Sequence, residues 1–191
     1  MNQIILLSGP PGSGKTSVAE ALCERFDRML FVEVDDLRHM VRAGYRHPWV
    51  ADHQATEQLE LGARNAAAVA LQSVAMRYSV VVADVITARA AEWYRAALAV
   101  APSRVELVTL LPTLNQTLSR YGARQHSLPE RSRQLHDQLT RQATAGELPG
   151  IVLDSSADPD PYTTADRVQD AISRGQALFI EPATVQGPRA H

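Results

Sequence analysis

Apolar residues gather in five short runs, at about residues 3–8, 30–34, 79–83, 104–111 and 150–153. Each is a nearly continuous Val/Ile/Leu stretch rather than an alternation, the pattern of a parallel strand buried on both faces. Between the runs, apolar residues recur at helical spacing and predict helices over about 15–26, 36–43, 52–77, 88–99, 113–121, 129–143 and 163–173. Gly44 suits the end of the second helix, and Thr87 and Thr163 suit N-caps. Strands alternating with helices predict an α/β fold, a three-layer sandwich around a parallel sheet. Ligands of such sheets sit beyond the carboxyl ends of the strands, so the side chains just after each run are the candidates for chemistry.

The first junction reads Gly9, four residues, then Gly14, Lys15 and Thr16, between a strand and a helix. This is the phosphate-binding loop in the context it requires. Glycines bring backbone N–H groups against a polyphosphate, and the helix N-terminus adds partial positive charge. Lys15 is the only lysine among the 19 Lys and Arg residues. A compact ammonium on a flexible stem follows the β- and γ-phosphates where a planar guanidinium does not fit, which explains the exception. Gly9, Gly12, Ser13, Gly14, Lys15, Thr16 and Ser17 form the expected nucleotide-binding set for a nucleotide polyphosphate with Mg²⁺.

The second run ends in Asp35 and Asp36, with Arg38 one turn on, and the third ends in Asp84. One strand-end acid can serve Mg²⁺ beside the Thr16 hydroxyl while another accepts the proton of a substrate hydroxyl. Asp84 is the expected metal-side acid and Asp35 the expected base. Plain turn roles compete for both, and Asp36 suits an N-cap. Arg120 and Arg124 lie four apart near a helix end, where Gly122, Ser127 and Pro129 interrupt the helix. They suit a short lid around 121–128 whose arginines neutralise a transferring phosphoryl group, with a solvated pair as the alternative. The loop after Gly44 gathers Tyr45, His47, Trp49 and His53, which with Arg38 form a candidate acceptor pocket; Trp49 equally suits an anchor onto the core.

The chain has 191 residues, enough for one domain over about 1–180 with a polar tail over 181–191. A formal net charge of -2 makes a nucleic-acid partner an unlikely main business. The lone Cys23 forms no internal disulfide and suits a buried thiol. No run approaches membrane-spanning length, and the expected location is cytoplasmic. Oligomeric state is not readable.

With these residues placed, the chain resembles the small P-loop kinases grouped with chloramphenicol phosphotransferase and the zeta toxins, from about residue 3 to 179. The resemblance rests on GPPGSGKT, on VDDL with a following HPW, on the strand closing at Asp84, and on Arg120 and Arg124. It implies transfer of the γ-phosphoryl group of ATP to a hydroxyl of a small-molecule acceptor. It also implies a five-stranded parallel sheet in the order 2-3-1-4-5, Asp35 as base, Lys15 and Thr16 as phosphate and metal contacts, and the two arginines in the lid. The stretch DDLR is similar to a segment of phage-type polynucleotide 5′-kinases, and DDLRHMVRAG to the monophosphate-gripping helix of adenylate kinases. ADVITAR stands where the latter carry Asp-Gly-Phe-Pro-Arg. An ATPase without acceptor is the alternative of another class; no guanine-recognition signature is present.

Overall fold

The computed structural model describes residues 2–122 and 129–183. The strands are β1 Ile4–Ser8, β2 Met29–Glu33, β3 Ser79–Asp84, β4 Val105–Leu110, β5 Ile151–Leu153 and β6 Leu178–Ile180. The helices are α1 Lys15–Cys23, α2 Val34–His39, α3 His53–Ala75, α4 Ala88–Ala97, α5 Leu114–Gly122, α6 Pro129–Thr144 and α7 Pro161–Ser173. The five expected strands pair in parallel in the order β2-β3-β1-β4-β5. A sixth, β6, runs antiparallel to β4 and shares its outer edge with β5: β5 pairs residues 108–110 and β6 pairs Val105 and Glu106. Three residues in an otherwise mixed stretch carry too little periodicity to announce a strand.

Alternating side chains of β1 feed two cores. Ile4 and Leu6 pack with Val80, Val82 and Leu107 beneath α3 and α4, where Ala63, Ala66, Ala67 and Ala70 let the long helix lie close to the sheet. Ile5 and Leu7 pack with Val81, Val108 and Leu110 beneath α1 and α7. Cys23 is half-buried at the rim of this second core, and burial, then the Glu20 charge, pushes its thiol pKa up. Among the described residues no helix is long and apolar enough to cross a membrane.

Several local expectations are corrected. β2 runs straight into α2, which starts at Val34 with Glu33 at its N-cap, so Asp36 lies inside the first turn and caps nothing. That helix stops at His39, well before Gly44, whose φ of 71° serves the following loop. Asp52 caps α3 by accepting the Ala55 N–H at 2.7 Å. Thr87 caps α4 as expected, whereas α7 is capped by Asp160 instead of Thr163, because Pro161 suits the first helical position. The tail from residue 184 lies outside the described residues.

Candidate active site

At the carboxyl ends of β1, β2 and β3 lies a cavity of about 530 Å³. Gly12, Gly14, Lys15 and Thr16 line one end, Glu33, Asp35, Arg38 and His39 one side, and Tyr45, His47 and Trp49 another. Asp84, Arg89 and Trp93 close it from β3 and α4, and Arg131, Leu135 and Gln138 from α6.

The glycine loop owes its shape to chain sterics. Gly9, Gly12 and Gly14 have φ of 149°, 92° and 92°, and a Cβ on Gly9 would collide with the Leu110 carbonyl. Gly14 is the N-cap of α1 in the left-handed region, with no side-chain cap, which leaves the first N–H groups of α1 to a ligand. Lys15 Nζ donates to the Gly9 and Pro10 carbonyls at 2.8 and 3.2 Å. Ser13 is buried and its Oγ has no partner among the described residues, while Ser17 is exposed on the first turn of α1.

The acids separate in a way the sequence does not foretell. Asp84, expected beside Thr16, is 4% exposed and already occupied. Its Oδ1 accepts from Arg38 Nη1 and Nη2, both at 3.1 Å, and from the Val85 N–H at 2.7 Å. Its Oδ2 accepts from the Tyr94 hydroxyl at 2.9 Å. Thr16 Oγ1 donates instead to Glu33 Oε2 at 3.0 Å. Asp84 and Thr16 line the same cavity, with Asp84 bonded to Arg38 and Tyr94 and Thr16 bonded to Glu33. Glu33 escapes sequence reasoning because it precedes the last residue of the expected strand. Its position two residues before Asp35, at the strand-to-helix junction, was the available signal.

Arg38 also donates to Asp35 Oδ1, from Nε at 3.2 Å and from Nη2 at 2.6 Å, a contact set by i,i+3 spacing on α2. Gly62 of α3 admits the Arg38 stem, since a Cβ there would stand 3.0 Å from Arg38 Cγ. The charges tune one another. Burial disfavours the Arg38 cation, but Asp84 and then Asp35 more than compensate and hold it charged. Burial likewise opposes ionisation of Asp35, and Arg38, with smaller help from Lys15 and His39, lowers its pKa below the ordinary value. Burial raises the Glu33 pKa, against the Thr16 hydrogen bond and Lys15, and the neighbouring Asp35 and Asp84 add to the rise. Tyr94, fully buried against Asp84, is pushed well up and stays a hydroxyl.

The loop after α2 forms an aromatic wall. His47 stacks on Trp49 with centroids 4.4 Å apart, Tyr45 meets His47 edge-on at 5.2 Å, and His39 leans on Tyr45 at 5.7 Å. Trp49 is 47% exposed and borders the cavity, which removes the core-anchor alternative. His53 is corrected: its side chain is 86% exposed beside Glu57 and lies off the cavity lining, because the first turn of α3 turns it outward. Arg120, at the end of α5, is exposed and has Nη1 3.7 Å from where a Gly14 Cβ would stand. Arg124, with the lid segment from residue 123, lies outside the described residues.

Sequence reasoning also passes over Arg131, Arg89 and Trp93. α6 begins against the glycine loop, where Ser132 Oγ donates to the Pro11 carbonyl at 2.7 Å, and Arg131 Nη2 reaches the Pro48 carbonyl at 3.4 Å. Arg89 stands over the Trp93 ring at 5.5 Å.

Among solved structures the chain is similar to a sugar kinase from Janibacter sp. HTCC2649, at 18% identity and TM-score 0.66, over 91% of this chain and 95% of that one. It is similar to the tunicamycin resistance protein of Deinococcus radiodurans, at 20% identity and TM-score 0.65, over 96% and 100%. A third is shikimate kinase from Acinetobacter baumannii in complex with shikimate, at 18% identity and TM-score 0.60, over 92% and 95%. No curated protein matches the chain. At these identities the likeness is one of fold, the sandwich of small phosphate-loop kinases with its 2-3-1-4-5 sheet. Residues 4–149 match the model of the AAA domain, and the chain belongs to that family.

Proposed function

We propose that this protein is an ATP-dependent phosphotransferase that moves the γ-phosphoryl group to a hydroxyl of a small-molecule acceptor, within the chloramphenicol phosphotransferase and zeta-toxin-like kinases. One observation carries the reading: a single cavity of about 530 Å³ joins the glycine loop to the Asp35 carboxylate and the aromatic wall. That volume suits a small molecule, and its two ends suit a nucleotide phosphate chain and an acceptor.

The loop N–H groups and Lys15 would hold the β- and γ-phosphates, Lys15 exchanging the Gly9 and Pro10 carbonyls for phosphate oxygens. Thr16 and Glu33 would hold Mg²⁺, which supplies neutralisation of phosphate charge. Among the described residues no three His, Cys, Asp or Glu side chains gather as a metal site. Two protein oxygens, with phosphate and water completing the shell, is how Mg²⁺ is commonly bound.

Asp35 Oδ1 faces Arg38, and among the described residues Oδ2 accepts no hydrogen bond, which leaves it for the acceptor hydroxyl. As the acceptor oxygen forms its bond to phosphorus, its proton passes to Oδ2 and the bridging P–O bond breaks to release ADP. A carboxylate with a lowered pKa is a weak base, which fits a loose transfer whose main demand is orientation of the nucleophile. Arg120, beside Gly14, and Arg124 would neutralise charge on the transferring group.

The experiment is ADP release with ATP and Mg²⁺ over a panel of hydroxylated antibiotics, sugars, nucleosides and 5′-hydroxyl oligonucleotides. The last belong because the Asp35 to Arg38 pairing matches the polynucleotide-kinase likeness of DDLR. One acceptor that accelerates ADP release and gains phosphate supports the reading. Brisk ATP hydrolysis indifferent to every alcohol refutes it.

A further inference from the structure

Charge is balanced unevenly around the cavity. Each described acid in its lining has a partner: Glu33 the Thr16 hydroxyl, and Asp35 and Asp84 the same Arg38. Among the described residues two arginines in the lining have no carboxylate partner. Arg131 is half-buried on α6, and its one hydrogen bond among the described residues is the long one to the Pro48 carbonyl. Arg89 on α4 is exposed to solvent and stands over the face of Trp93, so the cost of burial falls on Arg131. A guanidinium withdrawn from water without an anion is costly, and burial lowers the Arg131 pKa in keeping with that cost. Arg131 reaches across to the aromatic wall, while its neighbour Ser132 holds the glycine loop at Pro11. Lys15 and Arg120 stand at the glycine loop, whereas Arg131 reaches the residue between His47 and Trp49 in the aromatic wall.

We infer that the acceptor is an anionic alcohol, whose carboxylate or phosphate group is bound by Arg131, with Arg89 adding charge from the facing helix, while its hydroxyl lies at Asp35. A guanidinium fork matches either anion with two parallel hydrogen bonds. The inference rests on the phosphotransferase reading and narrows it to one class of substrate.

The test has a binding arm and a kinetic arm. Both tryptophans of the chain, Trp49 and Trp93, line the cavity, so their fluorescence reports its occupancy. With Mg·ADP on the glycine loop, cyclohexanecarboxylate is titrated beside cyclohexanecarboxamide. The carboxylate is expected to bind at least tenfold more tightly, and Arg131→Gln to remove the preference while Arg131→Lys restores part of it. Equal binding of acid and amide overturns the inference, whatever the enzyme's activity. In the kinetic arm, 4-hydroxycyclohexanecarboxylate is compared with its amide and glucose 6-phosphate with glucose, which also tells carboxylate from phosphate. The anionic member is expected to have the higher kcat/KM, and Arg131→Gln to raise its KM at least tenfold with a smaller change in the KM for ATP. A larger rise in the KM for ATP makes Arg131 a nucleotide residue and overturns the inference. If acid and amide are told apart in binding but no alcohol accelerates ADP release, the phosphotransferase reading falls, and with it the acceptor role of the anion.

Discussion

Asp84→Asn separates a charge that holds Arg38 from a charge that holds a metal. The substitution keeps an oxygen for the Arg38 and Val85 donors and a polar group opposite Tyr94, so the shape of the site survives and only the negative charge goes. The pair is 3.1 Å apart with side chains 10% and 4% exposed, so solvent screens it little. At an effective dielectric of about 20 the attraction at 3.1 Å is about 5 kcal/mol. Removing one partner of a buried pair costs roughly 3–5 kcal/mol. Asp35 still neutralises Arg38, which places the loss near the lower figure, about 3 kcal/mol. For a chain of this size that lowers Tm by roughly 6–12 °C. Arg38 then leans on Asp35 alone and shifts the carboxylate proposed to orient the acceptor, and turnover is expected to drop on the order of 10- to 100-fold. Thermal melts by circular dichroism give the first quantity. ADP release against Mg²⁺ concentration gives the second, with half-saturation by Mg²⁺ unchanged in Asp84→Asn and weakened in Glu33→Gln. An unchanged Tm together with a raised Mg²⁺ requirement in Asp84→Asn would refute this reasoning and return Asp84 to the metal.

Lys15→Arg is expected to lose phosphoryl transfer nearly as fully as Lys15→Ala, with the melt unchanged, since the wider guanidinium does not follow the phosphates; normal turnover in Lys15→Arg contradicts the loop assignment. Arg120→Ala should lower kcat by more than it weakens ATP binding, by roughly 10³-fold if the guanidinium acts on the transition state; parallel loss of both makes it a ground-state contact. Gly150→Ala combines a φ of 73° with a collision between the new Cβ and the Leu107 carbonyl, and should cost about 3 kcal/mol or more by chemical denaturation; a variant as stable as the parent would show that the approach to β4 relaxes freely.

The sheet was legible because its central strands β1, β3 and β4 are buried on both faces and leave continuous apolar runs, and the phosphate loop because its spacing is itself the geometry. Partnerships among the strand-end acids were not legible. Asp35, Asp84 and Glu33 share one chemistry, and which of them meets Arg38 or Thr16 depends on the turn at which α2 leaves β2. That turn is set where Glu33 ends the strand, one residue before the apolar run ends. The two arginines of the cavity lining, Arg89 and Arg131, were hidden for a different reason. In a chain whose basic residues are nearly all Arg, Arg89 and Arg131 look like any solvated helix face until α4 and α6 turn them to the same cavity.

The first turn of α6 touches two walls through adjacent residues, Ser132 on the Pro11 carbonyl of the glycine loop and Arg131 on the Pro48 carbonyl of the aromatic loop. A ligand that draws Arg131 off Pro48 therefore pulls on the turn that steadies the glycine loop, and a polyphosphate that reshapes the loop moves Arg131. Free-energy linkage makes that influence reciprocal. On the phosphotransferase reading the two substrates would then bind with coupled affinities, each changing the other's by the same factor, and severing the Ser132 contact is expected to uncouple them.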